Sequence, residues 1–326
     1  MTSFNYGGQA VMEGVMMRGE HEWAVCVRDP SGDLVVHRES LPGAVYRNRI
    51  LRLPFLRGLT VLWDALGLGM RALTWSADIA LSDEEDISFS GPLAWTTILV
   101  ALALGVGLFF LLPMFLVSLL DRHIASALLS NLAEGVVRLG VFVGYLGAIS
   151  LMPDIRRVFA YHGAEHKTIN AYEQGASLEP QAVAKYSRVH TRCGTGFLLI
   201  VLIIFVLIST LLGRPPLWQR LLSRLVLIPI VSGISYELLK LTAKYYEQSK
   251  LVRFLASPGL ALQQLTTREP EADMLEVSIR ALKEVLDSEG LLSEKELEEG
   301  SASPEGRGYT AQGADEIKGG HDTDAL

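Results

Sequence analysis

The chain has 326 residues, a hydrophobic fraction of 49% and a mean hydropathy of +0.29, a balance that points to lipid as the solvent for much of it. The net charge of −7 marks no acidic or basic binding face, because positions 287–326 hold 11 acidic and 3 basic residues and leave the remainder close to neutral. That Gly-, Ser- and Glu-rich tail has too few large apolar residues to offset its ordering entropy and is predicted to be disordered; no nucleic-acid motif appears.

Residues 1–53 read as a small cytoplasmic β module. "VMEGVMMRG", "EWAVCVRD", a "PSGD" turn and "LVVH" alternate short apolar runs with turn residues, the pattern of a small antiparallel sheet. In "GGQAVMEGVMMRG" the glycines lack the spacing of a phosphate-binding loop, so they are assigned to turns and bulges, with Glu13 able to reach a nearby site. Across 54–81 the charges Arg57, Asp64, Arg71 and Asp78 recur every seven residues. Seven residues on a helix drift by only about 20° per repeat, so these four form one polar stripe on an apolar cylinder. The expectation is an amphipathic helix in the membrane interface or packed on a helical bundle, with a fifth spanning helix as the alternative.

Four segments then approach the roughly 20 apolar residues needed to cross hydrocarbon. They are Leu93 to Leu119, Gly135 to Met152, Phe197 to Leu212 and Leu221 to Leu239, giving two helix pairs in 93–152 and 197–240. Pro113 and Pro229 are expected to kink the first and fourth, and Arg138 to snorkel from one end of the second. Lysines and arginines concentrate before the first span, between the second and third, and after the fourth. That asymmetry predicts a multi-pass protein of the cell membrane with both termini and the 153–196 loop in the cytoplasm. Positions 241–286 read as a cytoplasmic helical segment, with Met274, Val277, Ala281 and Val285 near one face. No cleavable signal is evident in the first thirty residues, so the later helices are expected to do the targeting. Two cysteines, Cys26 and Cys193, provide no disulfide framework and fit a reducing compartment.

The chemistry concentrates in "YHGAEHKTINAYE". On a helix His162 and His166 fall within about 40° of each other, one turn apart, so both imidazoles can ligate one ion; the alternative is a helix whose histidines donate hydrogen bonds to phosphate headgroups or backbone. "HGAEH" matches the H-x-x-E-H pattern of inverzincin peptidases, in which the glutamate serves as general base. Glu165 is the candidate catalytic residue; neutral imidazoles suit zinc or another divalent ion. A catalytic zinc usually takes three protein ligands, and Glu237, near the cytoplasmic end of the fourth span, is the candidate third. Its alternative role is an ion pair with Lys240 or Lys244. Glu173 shares the helical face but lies about 10 Å along the axis from His166, too far to share an ion. "RVHTRCGTGF" supplies a rival set in which His190 and Cys193 join His162 and His166 in a closed, structural site.

"GGQAVMEGVMMRG", "HGAEHKTINAYE", "KYSRVHTRCGTGF" and "LTTREPEADMLEVSI" occur in an order that resembles the bacterial YqhQ family, multi-pass membrane proteins of unknown function described as predicted metal-dependent enzymes. The resemblance covers about Tyr6 to Leu286. It implies the fold and a metal, with His162, Glu165 and His166 as matching positions, and it implies no substrate.

The sequence thus predicts an α-helical integral membrane protein with about four transmembrane helices, an interfacial amphipathic helix and a small N-terminal β module. Its expected function is that of a metal-dependent hydrolase facing the cytoplasm, acting on peptides or lipid-linked substrates. The alternative is a non-enzymatic membrane scaffold or assembly factor in which any metal is structural. Expected partners are membrane lipid and other membrane proteins.

Overall fold

The computed structural model describes residues 4, 6–41, 53–82, 92–120, 123–124, 126–211, 213 and 216–292. The tail predicted to be disordered from 287 is ordered at its start, where the last described helix runs to Ser288 and the Glu289 carboxylate accepts from the Tyr6 hydroxyl and the Glu20 N–H, each at 2.6 Å; the part beyond 292 lies outside the described residues.

Four strands, β1 (Gly7–Val11), β2 (Gly14–Arg18), β3 (Glu22–Arg28) and β4 (Leu34–Ser40), form one antiparallel sheet in sequential order. Met12 and Glu13 make a two-residue turn between β1 and β2, with Glu13 at φ 50°. The turn before β4 is closed by Asp29, whose Oδ1 accepts from the Asp33 N–H at 2.8 Å and the Ser31 hydroxyl at 2.7 Å, and Gly32 supplies φ 94°.

The sheet is not a free-standing module. Val15, Met17, Ala24 and Cys26 face one core, which they share with helices α5 (Pro153–Glu173) and α10 (Ala272–Ser288). Met16, Trp23, Val25 and Val27 face a second core against Leu68 and Ala72 of α1 (Leu56–Ala80). Both faces are therefore covered, which explains why β2 and β3 read as nearly continuous apolar runs.

The stripe on α1 is used inside the protein. Arg71 pairs with Glu39 of β4, and Arg57 pairs with Glu237 of α8 (Leu217–Tyr245). Gly58 lets α1 approach Tyr236, since a Cβ there would lie 2.8 Å from the tyrosine Cβ. Leu56, Trp63, Leu66, Met70 and Leu73 remain exposed on another face, with Trp63 81% accessible.

Among the described residues, four helical stretches are long and apolar enough to cross a membrane: Thr96–Ser118, Ala127–Ile149, Gly194–Leu211 and Val226–Tyr245. The first is composite. It runs from α2 (Pro92–Val106) through a π-helical turn, Gly107–Leu111, into α3 (Leu112–Ser118). The π turn immediately precedes Pro113, where the ring cannot donate to the helical ladder. The others are α4 (Ala127–Ile149), α7 (Gly194–Leu211) and the C-terminal part of α8, which continues through Pro229. A four-residue turn, α6 (Pro180–Val183), follows α5, and the 241–286 segment resolves into two helices, α9 (Lys250–Thr266) and α10.

Arg138 does not snorkel. It is 4% accessible, its Nε donates to the Phe109 carbonyl in the π turn at 2.9 Å, and its guanidinium pairs with Glu134 one helical turn back. The rings of Phe110 and Phe205 flank it, each centroid 5.5 Å away. An inward charge pair replaces the expected outward reach because a nearby glutamate and a π-turn carbonyl both accept from it. Arg138→Leu should therefore destabilise the detergent-purified protein by about 3–5 kcal/mol by leaving Glu134 buried without its counter-charge. The double substitution Glu134→Leu/Arg138→Leu should recover most of that loss in the same thermal unfolding measurement; equal destabilisation of single and double variants would contradict this account.

Candidate functional site

Helix α5 begins at Pro153 in its first turn with Asp154 beside it, both favourable where backbone donors are unpaired. Its middle is polar in composition yet almost fully buried, so its polar groups need partners. Three stripes supply most of them, although the buried Thr168 hydroxyl has no hydrogen-bond partner among the described residues.

Tyr161, Glu165, Thr168 and Tyr172 recur at helical spacing and face the sheet. The Tyr161 hydroxyl lies 3.4 Å from Glu13 Oε2, and the Tyr172 ring meets the Tyr6 ring edge-on at 5.3 Å. A Cβ on Gly8 would lie 2.9 Å from Glu165 Cγ. Strand β1 thus runs antiparallel along α5, and Gly8 is glycine because a Cβ there would meet the Met16 carbonyl at 2.5 Å as well as Glu165 Cγ.

On the far side, Gly163, Lys167 and Asn170 meet crossing loops. A Cβ on Gly163 would lie 2.0 Å from the Arg268 carbonyl, so only glycine lets that segment cross. Lys167 Nζ donates to the Ala184 carbonyl at 2.7 Å and pairs with Glu269 at 2.6 Å; Asn170 donates to the carbonyls of Ser187 and Val189.

The third stripe carries His162 and His166, whose ring centroids are 4.4 Å apart. His162 Nδ1 donates to the Thr266 carbonyl at 2.8 Å and His166 Nδ1 to the Arg188 carbonyl at 2.7 Å. A carbonyl can only accept, so each neutral ring holds its proton on Nδ1 and leaves a lone pair on Nε2. This is how outer partners orient metal-binding imidazoles. Cys193, at the start of α7, brings Sγ to 3.4 Å from His162 Nε2 and receives the Thr195 N–H at 3.4 Å. His162, His166 and Cys193 each offer a ligand atom within 4.8 Å of the others. A tetrahedral zinc with ordinary Zn–S and Zn–N bonds requires an S···N separation of about 3.5 Å, which the Cys193–His162 pair meets. The donor types suit such an ion, and this one separation matches it. Glu165 Oε2 lies 3.5 Å from His166 Nε2 and is buried beside the cluster.

The two sets read from the sequence are thereby divided. Cys193 joins the histidines, but His190 does not: its Nε2 faces Glu173 Oε2 at 3.6 Å, and its backbone is locked to the Gln263 side chain by two bonds of 2.9 Å. Burial alone would raise the Glu173 pKa, but hydrogen bonds from His190 and Arg192 outweigh it and hold the carboxyl below its usual range.

Glu237 is a correction. Its Oε1 accepts from Arg57 Nε at 2.7 Å and from the Phe55 N–H at 3.3 Å, and its second oxygen also meets Arg57, so the carboxylate ties α8 to α1 and is absent from the donor group. Its partner is an arginine of the seven-residue stripe and not Lys240 or Lys244. Cys26, buried beneath the sheet, has its thiol pushed up to about 12 by burial and stands apart from the cluster. Sequence reasoning missed Gly8 and the carbonyls of Thr266 and Arg188. The "GGQ" glycine pair was the visible trace of the first; backbone carbonyls leave none.

A family profile described as "Protein of unknown function (DUF1385)" matches residues 53–288. The uncharacterized protein YqhQ of Bacillus subtilis (strain 168) is 37% identical over 300 residues, which span 88% of this chain and 93% of that protein. The chain belongs to the YqhQ family. No solved structure matches it.

In this YqhQ-family chain, Glu237→Gln should cost about 1–3 kcal/mol of stability through the weakened α1–α8 tie. Metal content measured on the same purified protein should equal that of the unsubstituted chain; a drop in bound metal at unchanged stability would return Glu237 to the site.

Proposed function

We propose that this YqhQ-family protein is a membrane-embedded, metal-dependent hydrolase whose site opens to the cytoplasm. One observation carries the reading. Two imidazoles with their lone pairs fixed by carbonyl acceptors converge with a thiol, and a buried carboxylate stands alongside them. His162 and His166 through Nε2, and Cys193 through Sγ, would hold zinc or another divalent ion; the engagement of His190 Nε2 by Glu173, although its ring centroid is 5.7 Å from that of His166, supports a fourth position left to water and substrate. When bound, such an ion lowers the pKa of water towards 7 and polarises a carbonyl or phosphoryl oxygen.

Glu165 accepts the proton released as water adds to the electrophilic atom and delivers it to the leaving group, so water is divided across the broken bond. The Thr266 and Arg188 carbonyls keep the rings aimed throughout. Membrane insertion is supported by the four apolar helices and by the exposed apolar faces of α1 and α9, where Leu251, Phe254 and Leu255 are each at least 66% accessible. The lysine and arginine asymmetry favours cytoplasmic termini and a cytoplasmic site. Surrounding lipid is then the first partner of the chain.

Elemental analysis of detergent-purified protein is the test. The unsubstituted chain and Glu165→Gln should both carry about one zinc per chain, whereas His166→Ala and Cys193→Ala should lose at least tenfold in metal affinity. Absence of stoichiometric metal, with thermal stability indifferent to chelator, would sink the metalloenzyme and favour a scaffold in which the histidines serve as buried ties.

A further inference from the structure

Strand β1 forms one edge of the sheet, and among the described residues no other backbone pairs with its outer side. The two-residue turn at Met12 and Glu13 fixes which groups face outward. The pair flanking such a turn, Val11 with Gly14, exchanges hydrogen bonds, and the pattern alternates from there. Gln9 and Gly7 therefore bond to β2, while the N–H and C=O of Gly8 and Ala10 point away from the sheet. Gly8 is exposed at this edge.

That edge borders the candidate site. Gly8 rests on Glu165, and the His162–His166 stripe lies about 100° round α5 from the stripe that faces the sheet. Helix α10 covers β2 and β3 on the same sheet face, whereas α5 lies along β1. The Thr266 carbonyl holds His162, and the chain then crosses the outer side of α5 at Gly163 to reach α10. The histidines consequently occupy the flank of α5 away from α10, beyond the free edge of β1.

A cavity of about 170 Å³ lies on the opposite face of β1 and β2, lined by Gln9, Met16, Arg18, Ala65 and Leu68. A cavity of about 150 Å³ already accommodates a benzene-sized group.

We propose that β1 is a substrate-docking strand: an extended polypeptide adds to its free edge, pairs its main chain with Gly8 and Ala10, and lays a peptide bond alongside Glu165 and the His162–His166–Cys193 cluster. One of its alternating side chains enters the cavity beside Arg18. An extended polypeptide is the occupant because it alone presents N–H and C=O groups at the two-residue period that Gly8 and Ala10 require. The chemical step rests on the hydrolase reading, but the docking does not.

The test uses the full chain in detergent micelles with fluorescein-labelled β-casein, binding being read by anisotropy in the Glu165→Gln background. Ala10→Pro removes one outward donor without touching the β1–β2 ladder, and proline is tolerated on strand edges. It should weaken binding at least tenfold, and Ala10→Val should stay within twofold. Ala65→Trp, which narrows the cavity without altering the strand, should weaken binding several-fold. Casein binding unaffected by Ala10→Pro and Ala65→Trp, or no binding to the parent, overturns the docking strand. Zinc-dependent cleavage by the Glu165-containing chain that persists unchanged in Ala10→Pro overturns the docking strand alone. Strand-dependent binding with no cleavage at any zinc level overturns hydrolysis and leaves docking standing.

Discussion

Burying a helix as polar as α5 sets the constraint from which the rest of the arrangement follows. Each unpaired donor or acceptor in its middle would cost on the order of 1–3 kcal/mol, and "YHGAEHKTIN" carries several in three turns. The fold answers with backbone carbonyls drawn from three separate stretches: Ala184, Ser187 to Val189, and Thr266. These acceptors come from loops and helix ends, where carbonyls have no ladder partner. The same bonds that make burial tolerable also decide the tautomer of both histidines, so stability and chemistry share one set of contacts.

This also explains why the chain doubles back so often around α5. Helix α9 packs on α7 through a glycine pair, with a Cβ on Gly259 only 3.5 Å from Gly196 Cα, and its last turn offers Thr266 to His162. The loop before α7 offers Arg188 to His166 and ends in Cys193. The Gln263 amide then stitches α9 to His190 in both directions. Two segments far apart in sequence are therefore fastened to each other before either reaches the cluster, where a thiol and two imidazoles lie within 4.8 Å of one another.

Much of this architecture was legible in the sequence because it follows from period and composition. The four apolar helices, the antiparallel strands and the helical spacing of His162 and His166 all rest on local patterns. Boundaries suffered where one pattern ran into another: the second apolar helix begins at Ala127, well before Gly135, because Glu134 and Arg138 interrupt the apolar run while pairing within it. The sheet read as a separate module because its alternation is local, whereas its cover by α1 and α10 is not. Between Glu237 and Cys193 the sequence held no decisive information. Both were compatible with a third ligand, and the choice depends on which distant charge claims the carboxylate.

The charge that claims the carboxylate, Arg57, belongs to the seven-residue stripe of α1, whose spacing is visible in the sequence while its partners are not. A row of charges at that spacing can satisfy itself only against partners laid along a straight line, and the structure provides them at two levels, Glu39 on the sheet and Glu237 on the apolar bundle. Helix α1 is thus a strut that fixes the height of the sheet relative to α8. Gly8 of the sheet lies over Glu165, while Cys193 ends the loop that leads into α7, so the carboxylate and the sulfur of the candidate site are carried by different parts of the fold. Glu237 thus bears on how α1 and α8 are held together and not on ligation.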